Sequence, residues 1–423
     1  MDRDASGCLM CHLTGLYGLE RDKTYDEWLL KLIEEQRATS KPGAHFSQFR
    51  TFLSFGNLLQ SLTMDELKAC WQVIETSTQG LFSGLQFEGT HSSDSWMEWN
   101  QQLEKPFHIL LDKTGTQVHH ASMENPTKSF EQLKNLIIQA FDLAALPVDA
   151  IRLKNGDFLW QDKITPTRIV PQNHYVHRHL RSALDRIHAS LALVMQSQGS
   201  FADVTDYWSD GQNEVQLAGS VQFSEIIFNA LQNGDVCELT AMTDKFRSLS
   251  METAYFHTLA PADGCNHQGS VNQALAAWFI LLSCTGVCAL DICSLMQLFL
   301  TPEEQSNEIP MAEKLMCVFN NPAFQPLAKL LAFRLQNAAF HPLGAQISMQ
   351  STPAIWAVQR FSVDMVESVL CLVNCSSQAQ EITLGEEDLQ AGSYWQDFRG
   401  GKVFKAGEFW HLQPYEGLWL IKN

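Results

Sequence analysis

The sequence predicts an α/β protein: a (β/α)8 barrel of the TIM type, followed by a small antiparallel C-terminal β-domain. Two observations carry this prediction. From position 46 to position 345, short apolar runs alternate with amphipathic helical patterns, which is typical of β-α-β units around a parallel sheet. After position 345, short strand-like runs are separated by glycines, which is typical of antiparallel β-structure.

Each predicted element has its own pattern. The segment 25–36 places apolar residues among charges at helical spacing, and Pro42-Gly43 follows it, so we predict an N-terminal helical segment over residues 1–45. In the barrel, at 46–345, we expect strands at 49–55, 81–87, 148–153, 191–197 and 286–292, and helices at 64–77, 129–144, 174–191 and 271–283. The residues from 346 to 423 are predicted to form the C-terminal β-sandwich.

The net charge and the lengths of the apolar stretches argue against a nucleic-acid partner and against a membrane span. The chain has 423 residues, 29 Lys+Arg and 47 Asp+Glu, which gives a formal net charge of −18. A nucleic-acid surface needs a basic face, so we expect no nucleic-acid partner. Ala274–Leu290 is the longest apolar stretch, but it is short for a membrane span and is interrupted by Gly286. We interpret it as a buried helix that continues into a buried strand, and we expect no membrane contact.

The cysteines and the N-terminal sequence indicate a cytoplasmic protein. The first residues are acidic and contain no apolar core of a signal peptide. The eleven cysteines are odd in number and several lie in apolar runs, which favours free thiols over a disulfide framework. Cys8 and Cys11 with His12 match a haem-attachment string, but that chemistry normally requires export. His174 and His177 are three residues apart with no carboxylate pattern around them. We therefore predict no metal and no cofactor.

Several separate blocks, in the right order, resemble one known family. They are Ala150–Trp160 (AIRLKNGDFLW), Ile164–Arg181, Tyr207–Glu214 (YWSDGQNE), Arg334–Pro342 and Leu412–Tyr415. Together they resemble the α-amylase superfamily, glycoside hydrolase family 13, and within it the sucrose phosphorylase and glucosylglycerate phosphorylase branch. The likeness covers most of residues 80–423. That family fits more barrel between its first and third strands than this chain does, so we expect the barrel to be incomplete or remodelled near strand 2.

The resemblance also implies where catalytic groups would lie. A retaining enzyme of this family needs a carboxylate nucleophile and a carboxylic acid/base. The nucleophile position is occupied by Lys154, whose ammonium has no lone pair for attack unless its pKa is strongly lowered. The acid/base position is occupied by Gln196, whose amide cannot protonate a leaving oxygen. A third carboxylate is retained as Asp263. The resemblance thus predicts that no intact catalytic pair remains.

Five side chains are predicted as sugar contacts: His91, Arg152, Asp263, Trp96 and Trp208. Arg152 matches the family arginine two residues before the nucleophile, and tryptophan rings can stack on sugar faces. A structural interpretation stands beside this one. Arg152 and Asp263 can form buried ion pairs with each other or with Lys154, and packing in the core is the commoner role of tryptophan.

Three functions remain open from the sequence. The first is a catalytically inactive protein with a carbohydrate-binding, regulatory or scaffold role, whose ligand is a small sugar such as an α-glucoside. The second is an active glycoside hydrolase or glucosyl phosphorylase with rebuilt chemistry, using Asp263 and either Asp157 or Glu214. The third is a structural subunit, either in a homo-oligomer or in a complex with an active paralogue.

Overall fold

A computed structural model describes most of the chain in separate stretches. They cover residues 23–37, 50–54, 62–77, 84–89, 134, 136–138, 140–141, 144, 149–154, 156, 171–187, 191–197, 199–208, 213–247, 250–259, 270–349, 352–385, 389 and 393–422. The contacts divide the chain into two compact units. The first comprises mainly residues 85–220, and the second comprises residues 47–54, 61–84 and 221–423.

The strands are β1 Thr51–Ser54, β2 Gly84–Gly89, β3 Ala150–Lys154, β4 Ala192–Ser197, β5 Leu217–Ser220, β6 Ala254–Thr258, β7 Val287–Asp291, β8 Gln346–Ser348, β9 Ile355–Phe361, β10 Ser368–Asn374, β11 Gln380–Thr383, β12 Tyr394–Asp397, β13 Val403–Lys405, β14 Phe409–Leu412 and β15 Gly417–Lys422. The α-helices are α1 Lys23–Arg37, α2 Met64–Ser77, α3 Pro171–Ile187, α4 Phe201–Val204, α5 Gln222–Asn233, α6 Cys237–Thr243, α7 Val271–Ser283, α8 Ile292–Phe299, α9 Met311–Asn320 and α10 Gln325–Gln336.

The first unit contains the parallel strands β2, β3, β4 and β5, paired in that order. Every residue of β4 is buried, as expected for a barrel strand with helices outside it and other side chains inside. Helix α3 buries Val176, Leu180, Leu184 and Ile187, which recur at helical spacing on one face. That face and the strands form the apolar core of this unit.

The second unit contains the parallel strands β6, β7 and β1, paired in that order. Helix α2 begins at a capping box, in which the Thr63 amide donates to the Glu66 carboxylate and the Glu66 amide donates to the Thr63 hydroxyl. Helix α7 begins where the Ser270 hydroxyl accepts from the Gln273 amide. Its residues from Ala276 to Ser283 are all buried, so α7 is an internal helix rather than an amphipathic surface helix.

The C-terminal part of the second unit is antiparallel. One sheet has the order β13-β12-β15-β10-β9-β8, and a second sheet pairs β11 with β14. Leu370, Leu372, Trp395, Trp410 and Leu420 belong to the apolar core of this region. The opposite face of the larger sheet meets α7, where the Trp419 indole donates to the Ser283 hydroxyl at 2.7 Å.

The predicted fold class, a (β/α) barrel followed by a small antiparallel β-domain, is confirmed. The described residues contribute seven barrel strands, and a single described helix, α2, lies between β1 and β2. Helices 64–77 and 271–283 have the predicted bounds, and the predicted strands and the helix 174–191 shift by up to about four residues at either end. Of the predicted helix 129–144, only isolated residues are described, and those are helical.

The apolar stretch Ala274–Leu290 is confirmed as a helix, α7, that leads into a strand, β7. No helix among the described residues is long and apolar enough to cross a membrane. Eight cysteines lie in the described part of the chain and all are free thiols. Five of them are buried, namely Cys70, Cys284, Cys288, Cys371 and Cys375.

Candidate functional site

The two positions predicted to have lost their carboxyl groups are neighbours in the sheet. In the parallel register of β3 with β4, Lys154 is the partner of Gln196, and Arg152 is the partner of Val194. Lys154 is the last residue of β3, and Gln196 is the next-to-last residue of β4. Both therefore lie at the carboxyl ends of parallel strands, which is where barrel enzymes place their chemistry.

The neighbours of Gln196 show which way it faces. A Cβ built on Gly156 would lie 2.5 Å from the Met195 side chain and 3.1 Å from the His177 ring of α3. Met195 thus lies on the helix side of β4. Because side chains alternate along a strand, Gln196 faces the barrel interior, where it is only 4% exposed. The same contact explains why position 156 is a glycine.

Arg152 lies two residues before Lys154 in β3. Its side chain is buried, with 2% exposed. The register of β2 with β3 makes Glu88 the backbone neighbour of Arg152.

Glu214 is the centre of a buried ion-pair cluster. Its carboxylate is fully buried and accepts from the Arg178 guanidinium, with Nε at 2.7 Å from Oε1. The other oxygen, Oε2, lies 2.8 Å from Nδ1 of His174. His174 and Arg178 are four residues apart on α3, so they project from the same helix face. The His174 ring also stacks on Tyr207, with ring centroids 4.6 Å apart.

His177 ties α3 to the turn that follows β3. Its Nε2 lies 2.9 Å from the carbonyl oxygen of Gly156, two residues after Lys154. A carbonyl can only accept, so Nε2 carries the proton. Burial lowers the pKa of His177 to about 4, because an imidazolium would lose its hydration there. The neutral ring thus holds the end of β3 in place.

The predicted site residues have different outcomes. Arg152, Lys154 and Gln196 come together on β3 and β4 as described above. Trp208 is buried, with 4% exposed, in the 3-10 turn Thr205–Trp208. His91, Trp96 and Asp263 lie outside the described residues, as does Asp157. Within the described ranges, no group of three or more His, Cys, Asp and Glu side chains has a geometry suited to a metal ion.

Arg178, Tyr207 and His177 were not predicted as anchors of this region. The available signal was the spacing of His174 and Arg178, which predicts a shared partner on one helix face. The partner itself, Glu214, is 36 residues away from Arg178 along the chain and could not be assigned from local spacing.

No protein-family model matches the chain. A curated relative, the glucosylglycerate phosphorylase of Escherichia coli (strain K12), is 23% identical over 114 residues. That match covers 27% of this chain and 20% of the relative, so it spans about a fifth of the relative's length.

Solved structures match over far more of the chain. An Anoxybacillus α-amylase has a TM-score of 0.56 at 12% identity, covering 94% of this chain and 90% of that one. The chain has the α-amylase fold. AmyP in complex with maltose has a TM-score of 0.54 at 14% identity. The match covers 85% of this chain and 78% of AmyP. An isomaltulose synthase mutant from Erwinia rhapontici NX5, in complex with D-glucose, has a TM-score of 0.55 at 12% identity. The match covers 80% of this chain and 83% of that one.

At these identities the structural likeness establishes the α-amylase fold alone. The predicted resemblance is confirmed as a likeness, because the matching structures include an α-amylase and the curated relative is a glucosylglycerate phosphorylase. The curated relative also comes from the predicted branch.

Proposed function

We propose that this α-amylase-fold protein binds a small carbohydrate, such as an α-glucoside, without cleaving it. The observation that carries the proposal is the pairing of Lys154 with Gln196 at the carboxyl ends of β3 and β4. A retaining mechanism needs two carboxyl groups about 5–5.5 Å apart. Neighbouring strands supply the spacing, but neither residue at these two positions has a carboxyl group.

Each replacement removes a different step. A protonated lysine cannot form the glycosyl-enzyme bond, because its nitrogen has no free electron pair. Glutamine cannot supply the proton that a leaving oxygen needs, a contribution typically worth about 10²–10⁴-fold. The proposal therefore rests on the chemistry of two adjacent positions rather than on one substitution.

The similar proteins support a sugar ligand. AmyP is in complex with maltose, and the isomaltulose synthase mutant is in complex with D-glucose. Extending that property to this chain is part of the proposal. So is a cytoplasmic location, which is supported by the free thiols among the described cysteines. A regulatory or scaffold role would follow from binding without turnover.

A rebuilt active site is the alternative that the geometry addresses most directly. Glu214 was one of its three candidate carboxylates. Its side chain is fully buried and both oxygens contact cationic or ring nitrogens of α3. A group held in this way has no face open to a sugar, so the geometry supports a structural role for Glu214. The other two candidates, Asp157 and Asp263, lie outside the described residues.

Turnover and binding must be measured separately. The purified protein would be assayed on sucrose and on α-glucosyl fluoride, each with and without phosphate, beside Asp263→Ala. We expect no turnover above background in either protein and no covalent trapping by a mechanism-based glycosyl label. Wild-type turnover that disappears in Asp263→Ala, or a label on a carboxylate, would overturn the inactive assignment.

Calorimetry with glucose and sucrose tests the binding half of the proposal. The double variant Lys154→Asp with Gln196→Glu is the matched control, because it returns both carboxyl groups to their positions. We expect sugar binding by the wild type. We also expect glycosyl labelling only in the double variant, at the restored residue 154.

A further inference from the structure

We infer that His174 is a modification site, whose Nε2 accepts a phosphoryl group from a small anionic donor. The inference is independent of the proposed sugar binding, since it concerns side chains of α3 rather than the ends of β3 and β4. The observation behind it is the pair of His174 with the Glu214 carboxylate, in which the second ring nitrogen stays open to solvent. Tyr207 and Arg178 complete this group of four residues, called here the His174 cluster.

The contact with Glu214 decides which ring nitrogen of His174 can react. Nδ1 lies 2.8 Å from Oε2 of the fully buried carboxylate, and a carboxylate can only accept, so Nδ1 carries a proton. In the neutral ring the lone pair is therefore on Nε2. The carboxylate also stabilises the positive charge that the ring gains when Nε2 bonds to an electrophile, as the aspartate does for the histidine of a serine-protease triad.

Nε2 of His174 is accessible while the ring is held in one orientation. The side chain is 17% exposed, and within the described ranges Nε2 forms no hydrogen bond. It differs from Nδ1 of His177, which is enclosed without a hydrogen-bond partner among the described residues. The His174 ring stacks on Tyr207, with 4.6 Å between ring centroids and 16° between the ring planes. Because two contacts fix the ring, Nε2 presents its lone pair in one direction.

The surroundings of this nitrogen favour a negatively charged donor. Arg178 lies one turn further along α3 and donates to Oε1 of Glu214 through Nε and one amino nitrogen. Its side chain is 31% exposed, so the remaining N–H groups are available to a ligand. Helical side chains lean towards the N-terminus, which brings the guanidinium towards His174. His174 itself lies in the first turn of the helix Pro171–Ile187, at the positive end of the helix dipole.

A phosphoryl group is the chemistry that uses all of these features. Its anionic oxygens accept hydrogen bonds from guanidinium N–H groups and are favoured at a helix N-terminus. Its phosphorus is the electrophile. The Nε2 lone pair forms an N–P bond while the bond between phosphorus and the leaving group breaks, and the leaving group departs with that electron pair. The proton on Nδ1 stays in contact with Glu214, so the carboxylate balances the charge of the phosphorylated ring. A neutral acyl donor would make no use of Arg178.

The test treats the full chain with phosphoramidate, a small donor that transfers its phosphoryl group and releases ammonia. His411 is the internal control, because its Nδ1 also contacts a carboxylate, that of Glu381 at 3.1 Å, but the two side chains are 65% and 61% exposed. We expect His174 to be phosphorylated about tenfold or more faster than His411, although it is the less exposed ring. Peptide mapping at neutral pH measures both rates, and phosphorus NMR identifies the nitrogen, which should be Nε2 in His174.

Variants and salt locate the effect. His174→Gln keeps an N–H donor for Glu214 and should lose the fast-reacting site, whereas His411→Gln should leave it unchanged. Arg178→Lys keeps the positive charge and should keep most of the rate. Added salt should slow the reaction at His174, because it screens the attraction of the anionic donor. Thermal unfolding checks that the variants are folded; if His174→Gln is not, the rates and the NMR assignment in the wild type decide.

Three results would overturn the inference. Phosphorylation of His411 at the same rate as His174, or faster, would show that exposure alone governs the reaction. Phosphorylation of His174 at Nδ1 would mean that Glu214 does not hold the ring as described. A rate at His174 that is unchanged by salt would remove the role of the positive surroundings. The proposed sugar binding is measured by calorimetry on the unmodified protein, so it stands or falls separately.

Discussion

Glu214 in the first unit and the pair Arg334 and Arg360 in the second unit are all fully buried charges, but they are stabilised by different partners. Glu214 contacts the charged Arg178 and the ring of His174. Arg334 and Arg360 have no carboxylate partner among the described residues. They donate instead to backbone carbonyl oxygens. The dipoles of these carbonyl groups take the place of a carboxylate counter-ion.

The two guanidinium groups donate to backbone carbonyl oxygens of a few residues in the second unit. Arg334 donates to the oxygens of Leu282, Gly286 and Arg50. Arg360 donates to Ser283, Ala339 and His341, the last at 3.0 Å. Leu282 and Ser283 end helix α7, whose dipole has its negative end there and favours cations.

The two clusters of buried charges join different elements of the fold. The Glu214 cluster joins α3 to the residues that precede β5. The arginine pair joins α7 and the start of β7 to β9 and to the segment 338–341 of the C-terminal region. The block Arg334–Pro342, which carried part of the family resemblance, therefore holds the fold together in the described structure.

The largest expected effect is at Arg334. Arg334→Met removes the Arg334 donors from the buried carbonyl oxygens of Leu282 and Gly286, while the Arg50 oxygen keeps the Cys288 amide as a donor. Each lost bond to a buried oxygen costs about 1–3 kcal/mol. We expect the free energy of unfolding to fall by about 4 kcal/mol, measured by urea denaturation at pH 7.5.

Two further variants test whether the positive charge of Arg334 or its several guanidinium N–H donors account for the loss in unfolding free energy. Arg334→Lys keeps the charge but cannot reach three carbonyls from one planar group, so an intermediate loss is expected. Lys405→Met is the matched control, because Lys405 pairs with Glu408 and the two side chains are 40% and 62% exposed. It should cost about 1 kcal/mol or less. Equal losses at positions 334 and 405 would contradict the contrast between a buried cation held by carbonyl groups and an exposed ion pair.

The second effect is a pH dependence that both regions share. Burial lowers the pKa of His177 to about 4 in the first unit and that of His257 to about 3 in the second. An unfolded histidine binds its proton below about 6.5. Between that pH and the folded value, only the unfolded state gains the proton, so stability is full above 6.5 and falls as pH decreases.

For His177 the loss amounts to about 3 kcal/mol once the pH has reached 4, and it then levels off. The check is the slope of unfolding free energy against pH between 6.5 and 4. His177→Asn, which keeps a donor for the Gly156 carbonyl, should reduce that slope, and so should His257→Gln in the other unit. An unchanged slope in both variants would show that these rings are not the groups that titrate.

The sequence predicted the local features better than the partners. Helix 64–77 was predicted correctly because its apolar spacing and capping box are both local. The adjacency of Lys154 and Gln196 was implicit in two consecutive parallel strands. Strands β5 and β6 were not assigned, because LAGS and AYFHT are too short to show a period.

Long-range contacts explain the rest of what was missed. Arg334 lies 284 residues from Arg50 along the chain, and no spacing rule pairs a guanidinium with backbone carbonyls at that separation. The Arg178–Glu214 pair is closer but still depends on how α3 lies against the segment after Trp208. Contacts of this kind follow from the folded packing and not from the pattern that produces each element.

The smallest expected effect is at Glu214, although its ion pairs look the strongest. Glu214→Gln removes a buried carboxylate, but the residues left behind are partly exposed, Arg178 by 31% and His174 by 17%. They can regain water, so the loss should be about 2 kcal/mol rather than the 3–5 kcal/mol of a stranded buried charge. Arg178→Met strands the fully buried carboxylate and should cost more. If Glu214→Gln were the costlier of the two, solvent access would not be what sets the cost of breaking this pair.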